Sequence, residues 1–235
     1  MAENLDVLRT EKKYVLPVHV AGAVKSRLSY ILQPDEFCRD QKPYLVKSLY
    51  FDSLSDRDYY QKCSGLENRH KIRLRTYGDG GAIKLEWKRK QGSKQRKQSL
   101  LVSKQAAQEL IDGSYRCLLE YDDDLARRLY AIMTEQVYRP KCLVQYERFA
   151  YALATNDIRI TFDSNISAQE GNLELFSGAV AWYPVQPPNL VTLEIKYNHF
   201  LLEHIQTALA PFGLRETASS KYLRGRYFSM GASVL

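Results

Sequence analysis

The sequence predicts an α+β domain: a closed antiparallel β-barrel of about eight strands forming a charged tunnel, with helices packed outside. Three observations predict it. Runs in which apolar and charged residues alternate recur from residue 9 to residue 197. Their polar sides carry long side chains of both charge signs, where a solvated face would accept Ser, Thr, Asn and Gln freely. Between them lie stretches with apolar residues at helical spacing, which need a sheet surface to cover. An apolar outer face under helices and a charged inner face satisfy all three.

Taken in order, residues 9–15 (RTEKKYV) form the first strand, placing Arg9, Glu11 and Lys13 on one face. Pro17 ends it. Residues 19–32 follow as a helix, with Val20, Val24, Leu28, Ile31 and Leu32 at helical spacing. Residues 47–52 (KSLYFD) are a strand, and 54–63 a short helix. Residues 69–90 (RHKIRLRTYGDGGAIKLEWKRK) are a hairpin closed by the cluster Gly78-Asp79-Gly80-Gly81. On its first arm Arg73, Arg75 and Tyr77 oppose Ile72 and Leu74; on its second, Lys84, Glu86 and Lys88 oppose Ile83, Leu85 and Trp87. A basic loop at 91–97 (QGSKQRK) leads to a strand at 98–102, and Ser103 caps a helix through Ile111. The acidic run Asp122, Asp123, Asp124 opens a longer helix over 122–137, where negative charge suits the N-terminus.

The second half returns to strands. Residues 141–151 put Val144, Tyr146 and Arg148 on one face, and 157–163 put Arg159, Thr161 and Asp163 opposite Ile158, Ile160 and Phe162. A long loop over 164–189 holds a short strand near 179–183. Residues 191–197 (VTLEIKY) alternate Glu194 and Lys196 with Leu193 and Ile195. Helices at 199–210 and 219–230 close the chain. No repeat, low-complexity segment or linker divides it, so residues 1–235 read as a single domain.

Composition narrows the partner. Thirty-four Lys+Arg against 27 Asp+Glu give a net charge of +7, which favours an anionic partner. The cysteines are scattered, without CxxC or histidine partners at metal-ligand spacing, as expected of reduced thiols in a cytoplasmic protein. No run has the length of a signal peptide's apolar core or a membrane span, so the chain is not expected to span a membrane itself. Neither a P-loop nor a nucleophile elbow is present. Basic residues interleaved with exposed aromatics are not evident either, so no nucleic acid partner is expected.

A charged interior must hold ions or water, since an unpartnered buried charge costs several kcal/mol. Lys and Arg in excess select a polyanion, and the few inward carboxylates, Glu11, Glu86 and Glu194, select a divalent cation bridging to it. Phosphate chains meet both demands.

The strand EKK at residues 11–13 resembles the E-x-K signature of the CYTH, or triphosphate tunnel metalloenzyme, superfamily. KYVLP, SLYFD, IRLRTYG, LEWKRK, YERFAY, IRITFD, LEIK and SKYLRG resemble, in that order, the catalytic domain of the vacuolar transporter chaperone (VTC) complex, a polyphosphate polymerase. The resemblance implies that Lys13, Arg73, Arg75, Lys88, Arg148 and Arg159 hold a nucleotide triphosphate and the product chain. It implies that Glu194 coordinates Mn²⁺ or Mg²⁺, and that Ser220 and Lys221 belong to a helix reaching into one tunnel mouth. Face geometry adds Lys84, Tyr146 and Lys196 as substrate-binding residues, and Glu11 and Glu86 as further metal ligands.

The expected activity is transfer of the γ-phosphoryl group of ATP to inorganic polyphosphate. The alternatives are a tunnel-fold triphosphatase and a non-enzymatic polyphosphate-binding protein. Inward cations outnumber inward carboxylates, which favours holding a long polyanion over activating water. No SPX-type sensor is expected ahead of the resembling residues and no membrane helices after them, so coupling to a membrane would need a separate partner protein. Lys90 stands where the eukaryotic family has a histidine.

Overall fold

The computed structural model describes residues 9–78, 81–92, 94–177 and 181–231. Asp79 and Gly80 of the hairpin turn and part of the expected 179–183 strand lie outside these residues, as do the side chains of Arg9 and Lys94. The chain forms β1 (Arg9–Pro17), α1 (Val18–Leu28), β2 (Gln33–Pro34), β3 (Tyr44–Asp52) and α2 (Arg57–Cys63). Next come β4 (Arg69–Tyr77), β5 (Ile83–Gln91), β6 (Lys94–Val102), α3 (Lys104–Ile111) and α4 (Asp124–Glu135). The second half contains β7 (Arg139–Leu153), β8 (Ile158–Gln169), β9 (Tyr183–Pro184), β10 (Leu190–Asn198), α5 (Glu203–Leu209), α6 (Lys221–Gly225) and α7 (Tyr227–Met230).

The strands form one antiparallel sheet in the order β1-β10-β8-β7-β3-β4-β5-β6, with β2 attached to β7 and β9 to β8. It curls strongly, but β1 and β6 remain edges: among the described residues no ladder joins them. The expected closed barrel is therefore corrected to an open half-barrel, and the expected tunnel to a trough. Part of the reason is that β1's outer edge has another partner, because Thr217 N donates to the Lys13 carbonyl at 2.8 Å. The gap is bridged by side chains, with Lys88 Nζ of β5 at 2.7 Å from Glu11 Oε2 of β1.

Period-two alternation sorts the sheet's faces. On the convex side Leu49, Ile72, Leu74, Leu85 and Trp87 meet Ala107 and Leu110 of α3 and Leu125 and Leu129 of α4. The same side of the other half packs Leu16, Phe149, Ile160 and Leu193 against Val24 of α1 and Ile205 of α5. These helices lie outside, as expected. A smaller cluster on the concave side, Val46, Tyr50, Val144, Tyr146 and Ala168, receives Tyr222 of α6 and Tyr59 of α2. Those helices therefore sit within the curl rather than outside it.

Several boundaries differ from expectation for local reasons. The expected basic loop 91–97 is largely β6, which pairs with β5 from Gln91↔Lys94 to Ile83↔Val102. The tight reversal uses Gly92 at φ +57°, a conformation that glycine adopts without strain. The last helix breaks into α6 and α7 after Gly225, which lies so close to the sheet that a Cβ there would be 2.8 Å from Val144 Cγ2. Ser103 caps α3 as expected, accepting from Ala106 N at 3.0 Å, while Asp123 caps α4 by accepting from Leu125 N at 2.6 Å.

Candidate functional site

The concave face lines one cavity, and alternation decides which side chains reach it. Glu11 and Lys13 come from β1, Arg73 and Arg75 from β4, Lys88 from β5, and Tyr146 and Arg148 from β7. Glu194 and Lys196 come from β10, and Ser220 and Lys221 from the start of α6. Eleven of the fourteen site residues expected from sequence thus meet there.

The cavity wall is dense in ion pairs. Lys13 Nζ lies 2.9 Å from Glu11 Oε1 and 3.4 Å from Glu194 Oε1, so one ammonium touches two carboxylates. Lys196 Nζ reaches Glu194 Oε2 at 2.9 Å. Burial opposes the Glu194 charge, yet Lys196 and Lys13 hold its carboxyl well below the usual range. Arg148 grips Asp163 through two nitrogens at 2.6 and 2.7 Å, and Lys221 adds a third contact at 2.6 Å. Asp163 is fully buried; burial would raise its pKa, but Arg148 and Lys221 overcome this and bring it to about 2. Arg75 donates to Ser48 Oγ and Tyr146 Oη at 3.1 and 3.0 Å, leaving Tyr146 as its support.

Three expected site residues are placed elsewhere. Arg159 turns to Asp35 and to Tyr44 Oη (3.0 Å) and does not line the cavity. Lys84 shares the concave face but stands near the Tyr77 ring, beyond the cavity wall. Glu86 is buried beneath Arg73 and Lys97, 2.7 Å from Arg73 Nε and 2.6 Å from Lys97 Nζ. Of the three carboxylates expected to bind metal, Glu11 and Glu194 therefore stand side by side in the cavity wall, and Glu86 is enclosed away from them. Among the described residues no three acidic, histidine or cysteine side chains gather at metal-binding distance.

Other cavity residues went unnoticed in the sequence. Lys71 shares the face of Arg73 and Arg75 by alternation alone, and its Nζ donates to Ser220 Oγ at 2.9 Å. Lys62, Arg69 and Lys90 join it at one end. Burial pushes the Lys71 ammonium well below its usual range, and Lys13, Lys62, Lys88 and Arg73 push the same way.

A curled antiparallel sheet with apolar faces under outer helices and a cationic concave cavity defines an α+β half-barrel fold class. The fold is shared with a candidate adenylate cyclase from Bacillus halodurans (13% identity, TM-score 0.56, covering 97% of this chain and all of that one). It is also shared with a candidate adenylate cyclase from Vibrio parahaemolyticus (11%, 0.52, covering 94% and 98%). A third is a candidate adenylyl cyclase from Hippeastrum with a dominant triphosphatase activity (15%, 0.52, covering 92% and 94%). Residues 8–229 match the VTC domain, and the chain belongs to that family. Among curated proteins none matches this sequence.

Proposed function

We propose that this protein is a polyphosphate polymerase, transferring the γ-phosphoryl group of ATP to a growing inorganic polyphosphate chain. The observation that carries this reading is the concave wall, where cations from β1, β4, β5, β7, β10 and α6 face one cavity. VTC family membership supports polymer rather than monophosphate chemistry. In the reaction a terminal oxygen of the chain attacks the γ-phosphorus. The bond from that phosphorus to the bridging β–γ oxygen breaks, and ADP leaves with the electron pair. Such a transfer needs positioning and neutralisation of charge spread over the γ-oxygens. The half-buried Arg73 and buried Arg75, held by Glu86, Ser48 and Tyr146, supply fixed guanidinium groups for this role.

Glu11 and Glu194 fit a Mn²⁺ or Mg²⁺ ion, because they already converge on one cation, Lys13 Nζ. Magnesium is usually held by one or two carboxylates with substrate phosphates and water completing its shell. When bound, the ion would neutralise charge on the phosphates. Glu86, enclosed by Arg73 and Lys97, is not part of this pair.

A second reading, a triphosphatase, is favoured by the adjacent carboxylates, which can orient water, and by the activity of the Hippeastrum protein. Incubation with ATP and Mn²⁺, with products separated into free phosphate and polyphosphate, distinguishes them. Polyphosphate with ADP is the expected result. Free phosphate alone identifies the triphosphatase, and polyphosphate binding without turnover identifies a binding protein. The reading places the domain in the cytoplasm, where the buried free thiols of Cys38, Cys117 and Cys142 stay reduced. Among the described residues no helix is long and apolar enough to cross a membrane.

A further inference from the structure

We infer that Lys62, Arg69, Lys71 and Lys90 form a second anion subsite at one end of the cavity, which selects chains longer than a triphosphate. The inference rests on the reading of the cavity as a phosphate-chain site, and it adds a basis for length selection.

The argument begins with counter-ions. Lys13, Arg73, Lys88, Arg148, Lys196 and Lys221 each contact a carboxylate of the protein itself. Lys62, Arg69, Lys71 and Lys90 contact none among the described residues. Arg69 donates to the Leu66 carbonyl, and Lys71 to Ser220 Oγ. All four are half-buried in the cavity wall, so water screens them incompletely. Burial lowers the Lys62 pKa, with Arg69, Lys13 and Lys90 adding repulsion in the same direction. Converging like charges without an internal partner are relieved by a bound anion.

Register places this cluster relative to the rest. On the β4–β5 ladder the pairs run Arg69↔Lys90, Lys71↔Lys88, Arg73↔Glu86 and Arg75↔Lys84. Arg69 lies four residues from Arg73, about 13 Å at roughly 3.3 Å per residue. A triphosphate centred on Arg73 and Arg75 does not reach the Arg69–Lys90 pair; a longer chain lying along the strand does. Lys71, between the two, connects the zones through its contact with Ser220.

The test is calorimetric titration of the whole chain, in chelator and without ATP, using tripolyphosphate and size-fractionated polyphosphate of tens of phosphate groups. The wild-type protein is expected to bind the long chain more tightly. In the double variant Lys62→Gln/Arg69→Gln that preference should fall about tenfold. Its salt slope (log affinity against log salt) for the long chain should also shrink by roughly 0.7 per cation removed, if polyphosphate behaves as a single-stranded polyanion. The single variant Lys90→Gln, read alongside a melting curve, repeats the measurement with less disturbance. Equal affinity loss for both ligands, or an unchanged preference and salt slope, would overturn the subsite. A wild-type protein that binds neither ligand would overturn the phosphate-chain reading itself.

Discussion

The two ends of the cavity solve the problem of half-buried charge in opposite ways. Around β1, β7, β8 and β10, Glu11, Glu194 and Asp163 neutralise the cations in front of them, and the wall is held together by those pairs. Around the ends of β4 and β5, Lys62, Arg69, Lys71 and Lys90 have no such partners among the described residues, and the wall there is under repulsion. The paired end contributes to the fold as well as to the site. The unpaired end weakens the fold in return for affinity. Removing a charge should therefore have opposite effects on stability at the two ends.

The largest effect is expected for Asp163→Asn, which leaves buried Arg148 only its longer 3.8 Å contact with Glu194 and half-buried Lys221 without a carboxylate partner. Breaking a buried pair from one side typically costs about 3–5 kcal/mol, and urea unfolding measures it. A loss below about 1 kcal/mol would mean that water screens this pair and that the two ends differ less than the geometry implies. Glu194→Gln keeps the shape of the paired end but removes its negative charge. Turnover at limiting Mn²⁺ is expected to fall on the order of 10²–10³-fold, together with metal affinity in titration. Polyphosphate synthesis at the wild-type rate would move the metal away from Glu194.

Acid provides a third probe. The Asp163 carboxyl, at about 2 in the folded protein against an ordinary value of 3.8, is depressed by folding. Its contribution, on the order of 2 kcal/mol, is therefore present above about pH 4 and lost as pH falls toward 2. Thermal melts over that window should be flatter in Asp163→Asn than in wild type; parallel curves would assign the acid sensitivity to other carboxylates. The smallest effect is the most specific. Lys71→Met relieves repulsion at the unpaired end and should stabilise the protein by about 0.5–2 kcal/mol while weakening polyphosphate binding. If it destabilises instead, the hydrogen bond to Ser220 matters more than the repulsion, and the contrast between the ends fails.

Much of this was legible in alternation. IRLRTYG and LEWKRK place their charges on one face by period two alone, and Arg73, Arg75 and Lys88 meet in the cavity accordingly. Lys71 obeys the same parity and was recoverable by carrying the alternation one step toward the strand's start. Other features depended on distant residues. Arg159 has the right parity, but Asp35, from the segment before β3, captures it. Glu86 faces the concave side but is enclosed by Lys97, from a stretch whose basic composition suggested a loop. Closure of the sheet depends on whether β1 pairs with β6, and the strand patterns are the same either way. What occupies β1's edge is Thr217, some two hundred residues along the chain.

The attachment of α6 has a consequence for how the protein acquires its site. Lys13 reaches the Ser219 carbonyl across 206 positions of sequence, Tyr222 reaches Asp52 across 170, and Lys71 reaches Ser220 across 149. Contacts of that separation require loop closure before they are rewarded, which slows folding. During synthesis the cationic strands β4 and β5 emerge long before residues 219–222, so the cavity stays incomplete until that segment docks. A ribosome-bound chain thus passes through an interval in which its basic wall exists without the helix that finishes it.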